Sequence, residues 1–120
     1  MCFFRKKKAT QQQEKELNDR SRDIAAEIRT GLEKALLVIN DDEAKKILEA
    51  MHDELLYLPP SPRPEVYAID EKIRNSISDI RRLANGDKPK IKEINEAIME
   101  IKSLLLDRKL AYQKYTTGRK

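Results

Sequence analysis

The chain has 120 residues, 39% of them hydrophobic and 38% charged, with three glycines, no tryptophan and only 5% aromatics. That length holds one hydrophobic core and not two, and the composition is that of a charged helical protein, not of a sheet or a disulfide scaffold. The single cysteine excludes an internal disulfide, no run reaches the roughly 18 apolar residues of a transmembrane helix, and the formal charge of +4 is spread unevenly along the chain.

The chain opens with Met1, Cys2, Phe3 and Phe4, followed by Arg5, Lys6, Lys7 and Lys8. The apolar residues precede the basic ones and no apolar stretch follows, so the segment does not read as a secretory signal. Residues 1–11 are expected to form a disordered basic tail. Beyond them Leu17, Ile24, Ile28, Leu32, Ala35 and Ile39 recur at helical spacing. They predict a first amphipathic helix over residues 12–39, with Gly31 as its weakest point. Asn40 is placed to cap a second helix, with Asp41 and Asp42 in its first turn and Glu43 three residues on, as in a capping box.

Ala44, Ile47, Leu48, Met51, Leu55 and Leu58 carry the second helix over residues 41–58. Pro59, Pro60, Pro62 and Pro64 stop it, because they remove backbone donors and bias the residues before them away from helix. In polyproline II geometry this segment spans about 18 Å, enough to cross the end of a bundle. A third helix over residues 65–85 carries Val66, Ile69, Ile73, Ile77, Ile80 and Ala84 and closes at Asn85 and Gly86. Asp87 and Pro89 open a fourth over residues 88–115, with Ile91, Ile94, Ile98, Ile101, Leu105, Tyr112 and Tyr115 on its seam. Residues 12–116 therefore read as one all-α domain, a four-helix up-down-up-down bundle whose short connections make neighbours antiparallel. Residues 117–120 form a C-terminal tail.

Residues 1–8 hold four basic groups and no acid, and residues 9–58 hold seven basic and twelve acidic groups. Residues 59–87 hold five of each, and residues 88–120 nine basic and four acidic. Positive charge thus lies at the two ends of the chain, and an up-down-up-down topology brings both to one pole. Arg5, Lys6, Lys7 and Lys8 are expected there near Arg108, Lys109, Lys114, Arg119 and Lys120.

Cys2, Phe3 and Phe4 join an acylatable thiol and two large rings to the basic run, the ingredients of peripheral contact with an anionic leaflet. Each basic residue contributes on the order of 1 kcal/mol there. The competing reading is an inert solubilising tail. The same pole offers phosphate contacts to a nucleic acid, with Tyr112 and Tyr115 flanking Lys114 as stacking platforms for single-stranded bases, but no recognition motif accompanies them and their spacing continues the seam.

Glu49 and His52 match the Glu-x-x-His spacing of di-iron bundles, which require two such motifs and two further glutamates; a structural histidine at the edge of the apolar face is expected instead. No metal site, cofactor or nucleophile-base pair is read from the chain, and no enzyme is expected. Glu93, Glu96 and Glu100 lie among lysines on a solvated face. The PxxP spacing at Pro59–Pro64 is accounted for by its place between helices.

Leu36 and Leu37, and Leu104, Leu106 and Leu110, widen the apolar faces of the first and fourth helices beyond a single seam. With Tyr112 and Tyr115 they mark an interface with a protein partner or a second copy, unless helices of the same bundle cover them. The chain reads as a non-enzymatic interaction module, a helical scaffold or adaptor of the reducing cytoplasm with peripheral membrane contact through its tail. A small nucleic-acid-associated protein using the basic pole is the alternative.

Overall fold

No glycine or proline precedes Gly31, and the opening residues are rich in Lys, Gln and Glu, so nothing local stops a helix there. A computed structural model describes the backbone of residues 2–85 and 90–117 and the side chains of residues 15–85 and 90–113. Helix α1 runs over Cys2–Val38. The start expected near residue 12 is therefore corrected to Cys2, because the apolar stripe from Leu17 reports a packing face and not where the backbone turns helical.

Helix α2 spans Asp42–Ala50, and its cap is Asp41, whose side chain accepts a hydrogen bond of 2.9 Å from the Ala44 N–H. Asp41, not Asn40, thus satisfies the first turn. The expected helix over residues 41–58 divides at Met51, where φ is −94° and ψ is 1°, and resumes as α3 over His52–Leu56. The step leaves Leu48, Met51 and Leu55 all buried in the core. Helix α4, Pro64–Ala84, starts with proline at a first-turn position where its missing N–H costs nothing. Helix α5 covers Ile91–Thr117. The turn at Gly86, Asp87 and Pro89 lies outside the described residues.

The four seams close on one core, in which Ile28, Leu32, Leu48, Ile73, Ile98 and Ile101 are buried. Along the seams Ile47 and Ile91 are exposed, Leu17, Leu58 and Ile69 are only partly buried, and in α4 the fully buried position next to Ile69 is Asp70. Leu36 and Leu104 are covered by the chain's own helices, Leu36 partly and Leu104 almost completely.

Helix α4 lies between α1 and α5, and α2 also packs against both, so α1 and α5 face each other only across the core. Neighbours are not all antiparallel. Glu27 of α1 meets Arg74 of α4 at 3.0 Å, and Gly31 faces Ile77 further along both helices, so α1 and α4 run parallel. One cleft joins Ile47–Glu54 to Lys102–Lys109 and the next joins Glu54–Pro59 to Leu105–Gln113, so the α2–α3 arm and α5 also run parallel. The connection from α3 to α4 therefore crosses the bundle end on the diagonal. The proline segment is long enough for this, and it is pinned by α1 on one side and α5 on the other. The resulting molecule is elongated, 63 × 26 × 19 Å.

Candidate functional site

A polar node lies beneath the crossing segment. Ser21, Asp70 and Arg108 each occupy a seam position of their helix, in the series 17-21-24-28, 66-70-73-77 and 101-105-108, and each is buried. Asp70 and Arg108 pair directly, and Ser21 is joined to them through the crossing segment. Arg108 Nε donates to Asp70 Oδ1 at 2.6 Å and Nη2 donates to Asp70 Oδ2 at 3.3 Å, a two-pronged pair with the geometry of a charge-assisted bond. Nη2 also donates to the Pro59 carbonyl at 2.6 Å. From the other side, Ser21 Oγ accepts from the Ser61 N–H at 3.1 Å, and Ser61 Oγ accepts from the Arg63 N–H at 3.2 Å. The loop is thereby fixed to α1 and α5, while Asp70 ties α4 to the same arginine.

Burial pushes the Asp70 carboxyl above its ordinary value, and the hydrogen bond and positive charge of Arg108 work against that rise. The arrangement holds a structural ion pair with its oxygens occupied. Its carboxylate is engaged by the guanidinium.

The second feature is the flank between the α2–α3 arm and α5. Ile47, Ala50, Met51, Leu105 and Leu106 line a cleft of about 370 Å³ together with Glu54, Lys102 and Lys109. A neighbouring cleft of about 310 Å³ shares Glu54, Leu105 and Lys109 and adds Tyr57, Leu58 and Tyr112. Of these lining residues Leu106 is 59% and Tyr57 77% exposed, and Leu110, four residues beyond Leu106 on α5, is 58% exposed. Lys109 Nζ approaches Glu54 Oε2 at 4.0 Å across the shared wall, with both side chains largely in water. Such a pair adds little to stability.

The interface residues expected from sequence thus separate. Leu106, Leu110 and Tyr112 lie on this flank, with Tyr112 half-buried; Leu36 and Leu104 belong to the core or its edge. Leu37, 83% exposed, lies instead over a groove between α1 and α4 lined by Lys34, Ser78, Arg81 and Arg82. Tyr115 is on α5, its side chain outside the described residues.

Of the expected basic pole, Cys2, Phe3, Phe4, Arg5, Lys6, Lys7 and Lys8 lie on α1 and Lys114 on α5, their side chains outside the described residues; Arg119 and Lys120 are outside them altogether. Lys109 is exposed, but Arg108 is corrected from a surface contact to a buried partner of Asp70, since its seam position turns it inward. His52 is half-exposed, with Nδ1 3.6 Å from Asp53 Oδ1. Among the described residues no three His, Cys, Asp or Glu side chains are grouped to hold a metal ion, and no helix is long and apolar enough to cross a membrane.

Sequence reasoning overlooked the ion pair, although a signal was present: one acid and one base of opposite sign each sit where the 3-4 spacing demands an apolar residue. Compared with known proteins, the chain matches no family model, no curated protein and no solved structure.

Proposed function

We propose that this chain is a non-enzymatic helical interaction module of the cytoplasm that binds protein through the flank between the α2–α3 arm and α5. One observation carries the reading: Ile47, Leu106, Leu110 and Tyr57 expose large apolar surface around two adjoining clefts, although the core already buries an apolar seam from every helix. Scattered exposed leucines are ordinary; a cluster over concave surface is the anatomy of a binding site. The ionic node next to the clefts ties the crossing segment and α4 to α5.

A photoreactive amino acid at Leu106, and separately at the exposed Arg29 on α1, tests the proposal in cells producing the full chain. Protein adducts are expected at Leu106 and not at Arg29. Absence of adducts at Leu106, or equal labelling of both positions, would refute it.

A second contact is with anionic membrane through Cys2–Lys8. It is supported by helix α1 continuing to Cys2, well past Ser21, where the proline segment closes the bundle. The nucleic-acid alternative loses Arg108 from its basic pole.

A further inference from the structure

We infer that the occupant of the α2–α3/α5 flank is a second copy of this chain, related by a two-fold axis parallel to the helices. The inference rests on the interaction-module reading above and names its partner.

An isologous interface needs one patch that carries both a protrusion and its receptacle. This flank does. Leu110, four residues beyond Leu106 on α5, is exposed and lines neither cleft, and Leu106 lines the larger one. Because the arm and α5 run parallel, residues at one level of α5 have fixed counterparts on the arm: Leu106 is level with Ala50, and Leu110, one turn on, with the region of Glu54 and Tyr57. A two-fold axis along the helices keeps each residue at its own level and lays α5 of one copy over the arm of the other. Leu106 then enters the larger cleft of the partner and Leu110 the smaller.

Charge selects this axis over the alternative. The exposed acids Glu43 and Glu54 lie on the arm, and the exposed Lys102 and Lys109 lie on α5. An axis running across the helices would stack α5 on α5 and set lysines against lysines, which is unfavourable at any interface. The axis along the helices sets Lys109 against Glu54 of the other copy and Lys102 within about a turn of Glu43. Within one chain Lys109 and Glu54 are only loosely paired at 4.0 Å in solvent, so exchanging partners between copies breaks no buried bond.

Sedimentation velocity of the full chain over a concentration series tests the inference, with thermal melting to verify that each variant is folded. The wild type is expected to pass from monomer to dimer mass as concentration rises, and Leu110→Glu to stay monomeric at the same melting temperature. Lys109→Glu is expected to raise the dissociation constant at least about tenfold, and Glu54→Lys in the same chain to restore it, because both copies then carry the swapped pair. In a Cys2→Ser background, mixed Ala50→Cys and Leu106→Cys chains are expected to form the mixed disulfide under mild oxidation. A wild type that is monomeric throughout, or a charge swap that fails to restore the dimer, overturns the second copy. Leu106 adducts to a different protein from a monomeric chain overturn the second copy alone; a monomeric chain without adducts overturns the interaction flank as well.

Discussion

Asp70 and Arg108 show how a buried ion pair stands against the hydrophobic effect at two positions. Their seam sites favour apolar side chains, and their charges remain there because each satisfies the other and because Arg108 also holds the Pro59 carbonyl. Removing one partner leaves a charge buried without compensation, whereas replacing both restores an ordinary core. Asp70→Ala is therefore expected to lower the unfolding free energy by about 3–5 kcal/mol, and Asp70→Leu with Arg108→Met to recover most of that loss, as read by urea denaturation. If the double variant is as unstable as the single one, the Pro59 contact outweighs the pair.

The raised carboxyl also has a signed consequence. A folded-state value above the unfolded one means that the native chain binds the proton more tightly, so this group's stabilisation is complete at low pH. It declines as pH rises from the ordinary carboxylate value through the raised one, then stays constant. The stability difference between wild type and Asp70→Asn is expected to shrink over that window; a difference that grows instead would show that Arg108 outweighs burial. These residues were legible in the sequence as single charges on otherwise apolar seams. Their partnership was not, because pairing requires the relative register of two helices 38 residues apart.

At the scale of elements, spacing alone located the long helices, and the proline cluster marked the stop between α3 and α4. What it could not fix were the ends and interruptions that depend on packing. The 3-4 series through Leu48, Met51 and Leu55 continues across the break at Met51, with neither glycine nor proline to announce it. Gly31 illustrates the same limit. As a helical glycine it reads as a weak point, yet a Cβ placed there would meet Ile77 Cγ2 at 3.1 Å, so its small size permits the close approach of α1 and α4.

Alanine at Gly31 gains about 1 kcal/mol of helix propensity and spends it against that contact, so Gly31→Ala is expected to melt close to wild type. Gly31→Leu has no such compensation and is expected to be destabilised by about 1–3 kcal/mol in thermal or urea unfolding. A leucine variant as stable as wild type would remove Gly31 from the α1–α4 contact.

Across the whole molecule, the diagonal crossing of the proline segment is the feature that sequence could least supply. Connection length bounds how far the chain can travel, but whether it joins adjacent or opposite helices depends on which seams fit together. Both solutions leave the start of α1 and the end of α5 at one end of the bundle. Ser21 and Arg108 mark where each helix passes the crossing segment, and α1 extends about 28 Å beyond it. The backbone of Arg5–Lys8 thus lies on α1 beyond the crossing segment, so the proposed membrane contact is open to substitution apart from the proposed protein contact.

Co-sedimentation with anionic vesicles is expected to show binding by wild type that weakens steeply with salt, and no binding to neutral vesicles. Substituting glutamine at Arg5, Lys6, Lys7 and Lys8 in the full chain is expected to reduce vesicle affinity roughly a hundredfold or more. At concentrations where the wild type is monomeric, so that no second run adds avidity, Leu110→Glu is expected to leave it unchanged. Equal binding by the glutamine variant would remove the N-terminal run from membrane contact, and loss of binding in Leu110→Glu would mean that the flank, not the N-terminal run, meets the lipid.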